Sequence, residues 1–401
     1  MRRKLTILLV LLVAALSAVN GEVFKYQYRW GEKYKIKSEV NENVYVNGSY
    51  HHSAQILNKI SVEVTKVQDG KGMLDATFST SEKRKGNVDV YELSQQYHSL
   101  FWRDSRGKIT INARYFMPVV RDVPLFSGKD INTVGETWYG DGAEVHDLRN
   151  GYGISEPFRF PIHVKYTYLG KGKKDGKEYD IISAYYTISY ITPASFRKYR
   201  LYPVQVTGYS DQTIFWNNTT GKPYSYEEEF SIRFNLSSGN VYTFRGTARA
   251  TVIESLKMDK QSMVTDIQGS IDKARLKDMN VKATDKGVTI TLSNIHFSAN
   301  SADLLASEKK KLELLAEKLK KYPGRDVLVT GYTALAGTPE GRKKLSRQRA
   351  AAVAQYFIES GAKPREQIVI RGLGAENPVA DNSTPEGMEK NRRVEITILE
   401  N

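Results

Sequence analysis

Few residues in this chain could do chemistry. There is no cysteine, which excludes disulfides, thiolate metal sites, a cysteine nucleophile and a lipidated cysteine. His51 and His52 are adjacent, and in a regular strand adjacent side chains point to opposite faces, which makes a poor chelate. His98, His146, His163 and His296 are scattered without ligand spacing. No Walker loop, nucleophile elbow or zincin helix is present. Gly372-Leu373-Gly374 is a turn, since neither the third glycine nor the helix of a dinucleotide loop follows it. No acid, base and nucleophile group together, so the expectation is no enzyme, no metal and no cofactor. What remains is a set of arginines and loops near the end: Gly331-Tyr332-Thr333-Ala334, Leu345-Ser346-Arg347-Gln348-Arg349-Ala350 and Asn391-Arg392-Arg393. A guanidinium fork suits a carboxylate, so this chemistry is recognition.

These residues must be positioned by the elements around them. The 401 residues, 40% apolar and 26% charged, suit two or three folded domains. Residues 1–21 read as a signal peptide: Arg2, Arg3 and Lys4, an apolar run from Leu5 to Leu16, then small residues. That run is short for a membrane span, so no transmembrane helix is expected in the mature chain. Residues 22–255 read as a β-rich, sandwich-like domain, in one unit or two. Asp69-Gly70 and a Gly/Lys/Asp loop before Tyr179 mark hairpins. Lys33, Lys35, Lys37 and Glu39 alternate with Tyr34, Ile36 and Val40, predicting one wet face and one buried face. Tyr179 to Ile191 is apolar on both faces. Residues 256–285 read as a linker with a short element.

Beyond it lie a strand at Val288–Leu292 and an amphipathic helix on Leu312, Leu315, Ala316 and Leu319. A strand at Val327–Tyr332 follows, then a helix marked by Leu345, Val353, Tyr356 and Phe357. Strands at Ile368–Arg371 and Val394–Leu399 complete the pattern. The order β/α/β/α/β/β predicts an α/β sandwich with helices on one sheet face. Arg349 is expected near the N-terminal part of its helix, where backbone N–H groups favour an anion.

The arginine motifs, with Ile295-His296-Phe297, Gly372–Pro378 and Asp381–Gly387 in order around them, resemble the C-terminal domain of the OmpA family. The same peptidoglycan-associated module occurs in Pal and MotB. The resemblance covers residues 265–401. It implies an α/β domain that grips the diamino acid of the peptidoglycan stem peptide at two ends. In that family an Asp in a G-H-T-D motif takes the ammonium and an Arg in L-S-x-x-R-A takes the carboxylate. The Arg is Arg349 here. The G-H-T-D motif is Gly331-Tyr332-Thr333-Ala334, so the carboxylate is absent, and Arg342 stands where the family has Asn. This marks a divergent subgroup with weaker or altered binding. The implied peptidoglycan-binding residues are Arg349, Thr333, Ala334, Arg342, Asn391 and Arg392.

The formal charge of +14 is spread over both parts of the chain, without the single stripe of a nucleic-acid binder. It suits an anionic envelope polymer or surface. The reading is therefore an exported, periplasmic cell-envelope protein whose outer-membrane association stays open. It binds peptidoglycan, and its β-rich domain has an unknown envelope partner. The alternatives are a repurposed OmpA-like fold acting as a protein-interaction module, and an outer-membrane β-barrel joined to an OmpA-like domain.

Overall fold

The computed structural model describes residues 23–84, 89–131, 133–154, 156–254, 258–293, 295 and 306–400. The leader expected at 1–21, the linker residues 255–257 and the His296-Phe297 pair lie outside the described residues.

The first part is an antiparallel meander. Its strands are β1 (Lys33–Val46), β2 (Ser49–Gln68), β3 (Lys71–Arg84), β4 (Tyr91–Arg103), β5 (Ile109–Ile111) and β6 (Val119–Arg121). They continue as β7 (Thr137–His146), the single turn α1 (Arg149–Tyr152), β8 (Phe158–Lys174), β9 (Lys177–Ile191), β10 (Pro203–Asn217), β11 (Lys222–Leu236) and β12 (Val241–Glu254). The tight hairpins form where Asn47-Gly48, Asp69-Gly70 and Asp175-Gly176 adopt positive φ at both turn residues, the geometry that matches the twist of paired strands.

Sequential strands pair from β1 to β5 and from β6 to β12. The two runs join because β12 returns to pair with β1 along its length. The sandwich expectation is corrected here. Within each run hairpin connections place each strand beside its predecessor, and the β1–β12 pairing joins the runs into one continuous sheet around an interior instead of stacking two.

On β8, Phe158, Phe160, Ile162, Val164, Tyr166 and Tyr168 are buried inside, while Arg159, His163 and Lys165 are exposed. A membrane barrel alternates in the opposite sense, apolar outward and polar inward. β9 is apolar on both faces, and its outer face leaves Tyr185 and Ile191 exposed. The strand departs from regularity at His51 too. A bulge between β1 and β2 brings the His51 and His52 Nδ1 atoms to 2.7 Å, where a regular strand would separate them. Among the described residues no three His, Cys, Asp or Glu side chains group as metal ligands, and no helix is long and apolar enough to cross a membrane.

The second part is α/β. Helix α2 (Lys260–Lys273) is capped by Asp259, whose carboxylate accepts from the Ser262 amide at 3.0 Å. It occupies the segment read as linker. Then come β13 (Met279–Thr284), β14 (Gly287–Ser293), α3 (Ala306–Lys320), β15 (Val327–Gly331), α4 (Pro339–Glu359), β16 (Ile368–Gly372), α5 (Pro385–Asn391) and β17 (Arg393–Leu399). The sheet order is β13-β14-β17-β15-β16, with β15 and β16 parallel. Leu312, Leu315, Ala350, Val353 and Phe357 pack with Val327, Val329, Ile396 and Ile398 on the helix-covered face.

The other face meets the meander. Leu328 and Val369 pack on Leu57 and Tyr91, and β16 extends to pair with β4. Lys35, expected on a wet face, is buried there because the α/β sheet covers that part of β1. Its ammonium binds Asp326, whose second oxygen lies 3.0 Å from Lys59 Nζ.

Burial alone would push the Asp326 carboxyl up, but Lys59 and Lys35 outweigh it and hold the group below its usual value. A depressed carboxylate contributes stability above its unfolded value of about 3.9 and loses it as pH falls through the folded value. Asp326→Ala strands two buried ammoniums and is expected to cost about 3–5 kcal/mol. Urea denaturation of wild type and variant at pH 7 and pH 3 checks this. The gap should be smaller at pH 3 than at pH 7, and equal gaps would remove the triad from the account.

Candidate functional site

β15 and β16 both end in glycine, Gly331 and Gly372, paired side by side. A Cβ on Gly331 would stand 2.0 Å from the Ser346 carbonyl oxygen, and one on Gly372 2.6 Å from the Arg347 amide nitrogen. Only glycine lets α4 approach the strand ends this closely. Ser346, fully buried, fixes the approach further: its Oγ donates to the Lys343 carbonyl at 3.0 Å and accepts from the Gly374 amide at 2.9 Å. The loop after β15 is held by amide bonds from Tyr332 to the Arg393 carbonyl at 3.0 Å and from Thr333 to the Gly374 carbonyl at 2.7 Å. Segments 331–334, 346–349, 372–374 and 391–393 therefore converge at one end of the sheet.

Arg349 lies one turn beyond Ser346 and is half-buried. Burial first, and the Arg392 guanidinium second, disfavour its charge. Two cations thus share one corner. Its expected place near the helix N-terminus is corrected. Helix α4 starts at Pro339 behind the Thr338 cap, a Thr-Pro start that sets the boundary well before Leu345. Arg349 is mid-helix, out of reach of the N-terminal amides.

Thr333 is buried, and among the described residues its Oγ1 has no hydrogen-bond partner. Ala334 is also buried, beside Thr333. Arg342 points elsewhere, its guanidinium donating to the Gly337 carbonyl. Asn391 is structural here. Its Oδ1 accepts from the Val379 and Ala380 amides at 2.8 and 3.1 Å, and its Nδ2 donates to the Ala380 carbonyl at 2.8 Å. It pins the loop that carries Asn382, whose Oδ1 accepts from the Leu335 amide at 3.0 Å.

Sequence reasoning missed one cluster. The Arg393 guanidinium stacks over the Tyr332 ring at 3.6 Å. Arg393 also donates to Glu395 at 2.9 Å and to the Asn377 carbonyl at 3.0 Å. The Tyr332 hydroxyl donates to Glu395 at 3.1 Å. Burial, then Glu395, pushes the phenol up to about 12. The available signal was Arg393 and Glu395 two apart on one strand face, opposite a tyrosine at a strand end.

Residues 296–392 match the profile of the OmpA family. The chain is 38% identical over 136 residues to the Probable lipoprotein YiaD of Escherichia coli, covering 33% of this chain and 62% of that protein. It is 40% identical over 109 residues to the Peptidoglycan-binding protein ArfA of Mycobacterium tuberculosis, covering 27% of this chain and 33% of that protein. It is 34% identical over 126 residues to the Outer-membrane lipoprotein YfiB of Pseudomonas aeruginosa, covering 31% of this chain and 74% of that protein. The chain thus spans about three fifths of YiaD and a third of ArfA.

Replacing Asn391 by Ala leaves two amides and a carbonyl of the loop without their partner. The expected cost is about 1–3 kcal/mol, read by urea denaturation, with faster proteolytic cleavage between residues 377 and 384. Unchanged stability and cleavage would show that the loop is held by other contacts.

Proposed function

Because the chain belongs to the OmpA family, we propose that its C-terminal α/β domain docks non-covalently on the stem peptide of peptidoglycan, with Arg349 as the principal ligand contact. The observation that carries this reading is the corner where Arg349 and Arg392 act on one another beside the buried Thr333 hydroxyl. A bidentate carboxylate fits a guanidinium there. The printed name of ArfA as a peptidoglycan-binding protein supports the same class of ligand.

The domain belongs to a divergent subgroup. With Ala334 in the acidic position, the ammonium of a zwitterionic ligand meets no carboxylate from that loop. Losing one charge-assisted bond costs about 1.5–3 kcal/mol, roughly a tenfold to hundredfold weakening. Arg342 and Asn391 serve the loops, and Thr333, Ala334 and Arg392 line the corner with Arg349. The function is binding without a reaction. Residues 1–21 act as the export leader, which places the mature chain in the periplasm. The meander, with charges on its outer face and apolar residues inside, is water-facing and not a membrane barrel.

Calorimetry with a soluble stem peptide tests the site. Arg349→Ala is expected to abolish binding, and Ala334→Asp to tighten it roughly tenfold to hundredfold. If neither variant differs from the parent, the corner does not bind stem peptide and the fold serves as a protein-interaction module.

A further inference from the structure

The curled meander is not filled. One aromatic cluster, with Phe158, Phe160, Tyr166, Trp216 and Phe234, packs the interior under β7–β11. A second, with Tyr34, Val62, Leu74, Phe101 and Met117, packs under β1–β5. Between them lies a chamber of about 500 Å³, within the range of small-molecule sites. Ile36, Ile60, Phe78, Ile214, Phe230 and Phe244 line it. Of these, Ile36, Ile60, Phe230 and Phe244 point inward yet keep part of their surface accessible. An apolar wall left partly bare forfeits burial that a packed core would collect.

Among the described residues the wall carries five carboxylates, Glu42, Asp122, Glu144, Asp147 and Glu228, against one arginine, Arg103. Glu228 accepts from Ser210 Oγ at 2.7 Å and Gln212 Nε2 at 3.2 Å. Glu144 accepts from the Tyr186 hydroxyl at 2.5 Å and lies 2.7 Å from His146 Nε2. Glu82 and His146 act on Glu42, and Glu144, Tyr186 and Tyr226 interact with Glu228. No lysine or arginine is among them. Burial first, then Glu82, pushes Glu42 up to about 7. The chamber's arginine, Arg103, is engaged elsewhere: it stacks on Tyr26 at 4.0 Å and donates to the Tyr28 and Tyr34 hydroxyls at 2.9 and 3.2 Å.

We propose that this chamber binds an amphipathic cation, its hydrocarbon body against the Ile36–Ile60–Phe78 wall and its protonated amine among the carboxylates of the wall, which include Glu42 and Glu228. The apolar lining selects a body that cannot pair with water, and the excess of carboxylates on the wall selects a cationic head. An anionic amphiphile would bring its charge against like charges.

The probes are dodecylamine and dodecanoate, each below its micellar concentration, titrated by calorimetry into the full chain lacking residues 1–21. Without Arg2, Arg3 and Lys4 the formal charge falls from +14 to +11, which still draws dodecanoate to the surface non-specifically, so preference for the amine is diagnostic. One dodecylamine should bind per chain, at least about tenfold tighter than dodecanoate. The double variant Glu42→Gln, Glu228→Gln should weaken the amine roughly tenfold to hundredfold and erase the preference. Ile60→Trp, which fills the chamber, should block both probes. Failure to bind dodecylamine, equal affinity for the two probes, or amine binding that survives the double Gln variant would overturn the proposal. The reading of the arginine corner is untouched by any of these results.

Discussion

Asp326 stands at the root of β15, between two lysines that project from the outer face of the meander. All three groups are nearly buried. Their charges tolerate that burial because one carboxylate faces two ammoniums. The sheet of the α/β part has two faces to cover. Helices cover one, and the meander covers the other through Leu57, Tyr91, Leu328 and Val369. The triad sits at this seam and fixes which part of β1 and β2 meets β15. Two surface pairs extend it, Arg347 with Glu92 at 3.3 Å and Arg365 with Asp89. The first comes from the same helix segment that carries Arg349. The corner around Arg349 is therefore braced from behind by the meander as well as by its own sheet.

That bracing rests on features legible in the sequence to different degrees. The helix and strand order after residue 286 followed from apolar spacing, because each element there has one covered face and a regular period. The hairpins at Asp69-Gly70 and Asp175-Gly176 were legible because only a narrow set of residues tolerates two positive φ values in succession. The curl of the meander was not. It depends on β1 meeting β12, a pairing between residues some two hundred positions apart that no local pattern encodes. Lys35 reads as a surface residue for the same reason, since alternation fixes which face a side chain takes but not what covers that face.

The corner around Arg349 was legible in its residue types and not in its geometry. The Arg349 and Arg392 guanidiniums act on one another, and Thr333 is tied through Gly374 to Ser346, one turn before Arg349. Asn391 and Arg342 are spent on the loops, and their hydrogen bonds depend on backbone groups that residue type does not announce. The glycines at 331 and 372 explain why the corner is rigid. Each admits helix backbone where a side chain would stand, so the α4 turn that carries Arg349 is held by close packing on the strand ends.

The most direct measurement is cosedimentation of the full chain lacking residues 1–21 with purified peptidoglycan sacculi, in the presence of increasing free stem peptide. The account predicts that the protein pellets with the sacculi and that stem peptide releases it in a saturable way. Protein that stays in the supernatant, or that pellets and is indifferent to stem peptide, would contradict it.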